Sequence, residues 1–199
     1  MKKILSVVLL LGCLFSVCSC SFIEDKLGIG GGATGLKAFE NAIKDCNASN
    51  VSVVTVVETE LGDLESTISV AYNQDGSALI TYTYEEFNLV DSATEDLKTV
   101  TTVTINRAAD GTYTGDVPEG LDLAAVTASA AINFAPVKND VVINESSDVL
   151  TVVVPSANTA EVFGSEFSKD VNLEISLKEG ALFAIDLTFE GGRISYIYG

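Results

Sequence analysis

Residues 171–199 read VNLEISLKEGALFAIDLTFEGGRISYIYG, and their rhythm decides the fold class. Val171, Leu173, Ile175 and Leu177 alternate with polar neighbours. A period of two puts one set of side chains on one side of a pleated strand. Lys178-Glu179-Gly180 turns the chain, and Ala181, Phe183, Ile185, Leu187 and Phe189 take up the alternation again. Glu190-Gly191-Gly192 turns it once more before Ile194, Tyr196 and Tyr198. Strands joined this tightly lie antiparallel, because a parallel pair needs a crossover of about a dozen residues or more.

The same pattern extends upstream. Val51 to Val57 is β-branched almost throughout, the composition of a strand. Ile68, Val70 and Tyr72 alternate with small polar residues. Gln74-Asp75-Gly76-Ser77 is a hairpin turn, and Ile80, Tyr82 and Tyr84 return from it. A further strand is expected over residues 97–106, turning at Asp110-Gly111 towards Tyr113. Residues 141–144 and 149–154 form another hairpin pattern, ended by Pro155. This is a meander of nine or ten strands, not a series of βαβ units.

Three segments break the period of two. Leu36, Phe39, Ile43 and Cys46 recur at spacings of three and four, the apolar stripe of a helix that packs on something. Residues 121–134 are alanine-rich and lie between Pro118 and Pro136, which favours a helix. Residues 156–164 suggest one or two helical turns capped by Ser156 and stopped by Gly164.

The N-terminus concerns export. Met1-Lys2-Lys3 precedes an apolar run from Ile4 to Leu11, too short for a span of about 20 residues and shaped like a secretory signal. It ends Val17-Cys18-Ser19-Cys20, which resembles the bacterial lipobox. That resemblance implies a signal peptide over residues 1–19, acylation of Cys20 and anchoring on the extracytoplasmic face of a bacterial cell membrane. Leu10-Leu11-Gly12-Cys13 also fits the pattern but leaves a signal of only twelve residues, so Cys20 is preferred. Residues 20–35 contain Gly30, Gly32 and Gly35. No strand precedes that GxGxxG, so it is taken as a glycine-rich tether rather than a nucleotide site. One β-rich domain is expected over residues 36–199.

A helix, a long meander, a helical insertion, a hairpin, a short helix ending Glu161-Val162-Phe163-Gly164 and a closing three-stranded meander resemble the LolA/LolB and LppX/LprG-like lipoproteins. The resemblance covers roughly residues 36–199. It implies an α+β, mostly β architecture: a strongly curved antiparallel sheet, an incomplete β-barrel, lidded by the N-terminal helix and short helical insertions. It also implies a lipid or other apolar ligand held between sheet and helices. Leu36, Phe39, Ile43, Tyr72, Ile80, Tyr82, Phe183 and Ile185 are the candidate cavity-lining residues. No sharp binding motif exists to carry across from that family.

Composition narrows the chemistry. The chain has 28 acidic and 11 basic residues, a net charge of −17, and no histidine. Without Lys2 and Lys3 the balance is 28 against 9, or −19. Such a chain repels nucleic acid and anionic headgroups, so acyl chains must hold it to the membrane. Histidine is the commonest general acid-base, and Cys46 lies on an apolar stripe without a basic partner. The reading is therefore non-catalytic, with no cofactor. Asp91, Glu95 and Asp96, and separately Asp110, Asp116, Glu119 and Asp122, bring together hard oxygens suited to calcium. Neither set has EF-hand spacing, solvated surface explains both, and no metal site is assigned. A second class of function is an interaction lipoprotein with a solid core, whose acidic surface meets an unknown partner.

Overall fold

The computed structural model describes residues 31–87, 98–118, 121, 132–144 and 148–199. Cys13, Cys20, the loop with Asp91, Glu95 and Asp96, and most of the alanine-rich segment, with Glu119 and Asp122, lie outside them. The described chain is mostly β, as its alternation requires. The ten strands are β1 (Asn50–Thr59), β2 (Gly62–Tyr72), β3 (Ala78–Phe87), β4 (Lys98–Arg107), β5 (Tyr113–Gly115), β6 (Val142–Asn144), β7 (Val149–Val154), β8 (Val171–Lys178), β9 (Ala181–Phe189) and β10 (Gly192–Tyr198). They are ordered β5-β4-β3-β2-β1-β10-β9-β8-β7-β6 in an antiparallel sheet that does not close. Both edge strands have only three residues, which limits the unpaired backbone offered to other chains.

The chain divides into two compact units. The first comprises Met1–Asn47 and Gly120–Glu190, the second Ala48–Glu119 and Gly191–Gly199. In the first, helix α1 (Gly31–Lys44) packs on β6, β8 and β9. It begins five residues before Leu36 and so takes in part of the expected tether. Phe39 and Ile43 are buried on its inner face, while Leu36 and Cys46 are half-buried. A Cβ at Gly35 would stand 2.9 Å from Ile143 Cδ1, so glycine permits the close approach of α1 to β6.

After Pro155 comes a 3₁₀ turn (Ser156–Asn158), then α2 (Thr159–Phe163). The expected cap differs in detail. No side chain caps the 3₁₀ turn, and Ser156 instead donates its backbone N–H to Asp170. The fully buried Thr159 hydroxyl donates to the Ser156 carbonyl and accepts from the Phe167 N–H, so no polar group is left unmet there. Gly164 ends α2 at φ 73°, as expected of a C-terminal glycine. Residues 132–134, expected at the end of the alanine-rich helix, are not helical.

In the second unit the register gives each face of the sheet its character. Tyr196, Val53, Ile68, Tyr82 and Val103 stand opposite one another across five strands. Tyr198, Val51, Val70, Ile80 and Ile105 form the neighbouring row. This is the apolar face, with Ile80 and Ile105 fully buried. No described helix or second sheet belongs to this unit. The opposite face carries the candidate site.

A hydroxyl-floored cleft as the candidate site

On that opposite face Ile197, Ser52, Ser69, Thr81 and Thr104 lie in one row across β10, β1, β2, β3 and β4. The next row contains Asn50, Ala71, Leu79 and Asn106. Gly199 continues it, exchanging backbone hydrogen bonds with Asn50. Side-chain size then shapes the surface. Ser52, Ser69 and Ala71 are small and sit on central strands, whereas Ile197 and Leu79 rise on either side. The result is a cleft of about 370 Å³ whose lining includes Ser52, Ser69, Ala71, Leu79, Thr81 and Ile197. Its volume falls in the range of about 300–1,000 Å³ usual for ligand sites. Three interstrand steps of about 4.8 Å put its two walls roughly 14 Å apart.

The side chains of the cleft are neutral. None of its lining side chains carries a charge, although the chain has 39 charged side chains, 28 acidic and 11 basic. Leu79 and Ile197 are 45% and 41% exposed, so the walls present aliphatic surface to solvent. On the floor the Ser52 and Ser69 hydroxyls bond each other at 2.7 Å. Each hydroxyl has two acceptor lone pairs and one donor, so the pair keeps capacity for a bound molecule.

The residues expected to line a cavity are divided between the two units. Leu36, Phe39, Ile43, Phe183 and Ile185 belong to the first unit, and Tyr72, Ile80 and Tyr82 to the second. A residue lining an open cavity keeps surface that solvent can touch. Ile80 and Ile185 keep none, each being 0% exposed, so both serve packing. Tyr82 is also buried and stacks on Tyr84 with ring centroids 5.0 Å apart. Burial, with smaller contributions from Tyr84 and Glu86, pushes its hydroxyl pKa up to about 12. Tyr72 is half-buried, and burial raises its pKa against the lowering effect of Arg107.

Phe183 requires the plainest correction, being 43% exposed with the Lys178 ammonium 5.9 Å from its ring centroid. Ser176 pairs with Ala184 and Leu177 with Leu182, leaving Phe183 as the extra residue of a β-bulge. A bulge inserts one residue and resets the alternation. Leu182 therefore joins Ile185 on the inner face, Ala184 is buried as well, and Phe183 faces solvent.

The candidate calcium oxygens resolve into turn chemistry where described. Asp110 accepts the Thr112 N–H at 2.9 Å, and that bond holds its carboxyl below the usual range. Asp116 is exposed. Among the described residues no three histidine, cysteine or carboxylate side chains gather as metal ligands. No described helix is long and apolar enough to cross a membrane.

No family model matches the chain, and no curated protein matches it. Among solved structures it is similar to the crystal structure of LprF from Mycobacterium bovis, at 10% sequence identity and a TM-score of 0.40, over 84% of this chain and 92% of that one. So loose a likeness carries no weight for fold, ligand or anchoring, and the architecture rests on its own strand ladders.

Proposed function

We propose that the chain is a lipid-anchored extracytoplasmic binding module that holds a neutral apolar or amphiphilic molecule in the cleft across β10, β1, β2 and β3. The carrying observation is an aliphatic-walled, hydroxyl-floored depression without a charged side chain in a chain of net charge −17. Desolvating aliphatic walls favours apolar ligands, and the hydroxyls orient a polar end. Anchoring rests on the Val17-Ser19-Cys20 pattern behind the apolar run. The role is non-catalytic, a reading supported by a chain without histidine.

The test uses N-phenyl-1-naphthylamine, a neutral probe that fluoresces in apolar surroundings. Ala71→Phe places a ring on the cleft floor at an exposed position and should weaken probe binding at least tenfold without moving the melting temperature. Wild-type protein that leaves the probe dark, or an Ala71→Phe variant that binds as well as wild type, overturns the cleft assignment. For anchoring, Cys20→Ser should release the chain from membranes, and an N-terminus acylated at Cys13, or unacylated, overturns Cys20.

A second reading, an interaction lipoprotein with a solid core, is favoured by Ile80, Ile105 and Ile185, which retain no exposed surface. It takes over if the probe does not bind.

A further inference from the structure

Arg107 is one of only two arginines in the chain. It ends β4 in the row Tyr72, Ala78, Arg107, Tyr113, beside the apolar row that contains Ile80 and Ile105. Its Nη1 donates to the Gly76 carbonyl in the β2–β3 turn at 2.8 Å, which fixes the plane of the guanidinium. Its Nε is buried and has no hydrogen-bond partner. A buried charged donor is ordinarily paired.

Among the described residues no carboxylate forms an ion pair with Arg107. The ion pairs among the described residues are Lys98 with Glu85 and Lys169 with Glu190. Asp110 is the carboxylate with an electrostatic influence from Arg107, yet its Oδ1 is engaged by the Thr112 N–H of its own turn. In a chain where acids outnumber bases 28 to 11, an arginine with no ion pair among the described residues is conspicuous. Nε, which shares an edge of the guanidinium with Nη2, is therefore left without a partner. That edge matches the spacing of two oxygens on a carboxylate or phosphate. Beside it stands Gly111, whose missing Cβ would lie 3.8 Å from Nη2, an ordinary contact distance. Tyr72 and Tyr113 share the face and are half-buried, forming walls of low polarity that strengthen a charged contact.

We propose that Arg107 is an oxyanion-binding site, taking the two oxygens of a phosphate or carboxylate group on its Nε–Nη2 edge between Tyr72 and Tyr113. The Gly76 bond holds the guanidinium in place for it.

Because the chain has just two arginines, their Nε–Hε cross-peaks in a ¹H–¹⁵N spectrum give a direct readout, with the exposed Arg193 as internal control. Inorganic phosphate, acetate and dihexanoyl phosphatidate below its micelle concentration are titrated in turn at constant ionic strength. The Arg107 peak should move and saturate at millimolar anion while the Arg193 peak stays. The same anions should raise the melting temperature of wild type and of Tyr113→Phe but not of Arg107→Gln. Saturation by phosphatidate at a tenfold lower concentration than phosphate identifies a lipid headgroup as the source, and equal concentrations identify a free anion. Peaks that both move without saturating, or an Arg107 peak that never moves, overturn the site. An Arg107→Gln variant stabilised as much as wild type does so as well.

Discussion

Phe39→Ala separates a ligand beneath the helix from a ligand in the cleft. Phe39 is 3% exposed on the inner face of α1, so truncation removes nearly a whole ring from a packed site. Phe→Ala at such sites costs about 3–5 kcal/mol, the larger values where the surroundings cannot collapse into the void. Here α1 already approaches β6 so closely that a Cβ at Gly35 would stand 2.9 Å from Ile143 Cδ1, which limits collapse in that direction. The cost should therefore fall near the top of the range, about 4–5 kcal/mol. A domain of 150–250 residues loses about 2–4 °C per kcal/mol, so the melting temperature should drop by roughly 8–20 °C. Circular dichroism measures that drop, and N-phenyl-1-naphthylamine titration below the transition measures binding on the same sample. The cleft residues belong to the other unit, so affinity should stay within about twofold. A drop under about 3 °C would mean that Phe39 is not packed as described. A loss of affinity tenfold or greater in folded protein would place the ligand under α1 and refute the cleft.

Gly115 has φ 119°, and a Cβ there would stand 2.8 Å from the Thr104 carbonyl oxygen; Gly115→Ala should destabilise by more than about 1 kcal/mol, and a denaturant midpoint equal to wild type would contradict the backbone placement. Ile185→Ala should cost about 2–5 kcal/mol, whereas Phe183→Thr should stay within about 1 kcal/mol; equal costs by urea unfolding would remove the bulge assignment. Glu85 accepts the Glu65 N–H and pairs with Lys98, both at 3.0 Å, and these contacts, the first being the larger, hold its pKa below the usual value. A depressed folded pKa stabilises above the unfolded carboxylate value of about 4.3 and loses that contribution as pH falls through the folded value. Melting curves between pH 6 and 3 should therefore show a shallower acid-side decline for Glu85→Gln than for wild type, and identical declines would remove Glu85 from the acid response.

The strands were legible because alternation and β-branched composition are local properties, whereas the pairing of β1 with β10 joins the two ends of the meander and is not local. Interruptions of the alternation were less legible. The bulge at Phe183 is invisible to periodicity, since Ala181, Phe183, Ile185 and Leu187 alternate without a break in the sequence. Only the pairing of Leu177 with Leu182 rather than with Phe183 reveals the extra residue. Ser156 was misread for a related reason. Capping chemistry fits its residue type, but Asp170, fourteen positions away, takes its N–H.

The cleft depends on register more than any other feature does. Ser52, Ser69 and Ala71 are unremarkable small residues within strands, and Ile197 lies 145 positions from Ser52 in the chain. They form a floor and a wall only because β1 pairs with both β2 and β10 in a register that sets Ser52 opposite Ser69 on one side and Ile197 on the other. A slip of one residue in the β1–β2 pairing would bring Ile68 or Val70 opposite Ser52, exposing apolar side chains now buried on the other face. The burial of Ile80, Val70 and Ile105 therefore also fixes the small-residue floor behind them. Core and cleft are two faces of a single register, so a substitution that shifts that pairing should remove both together, whereas Ala71→Phe removes the cleft alone.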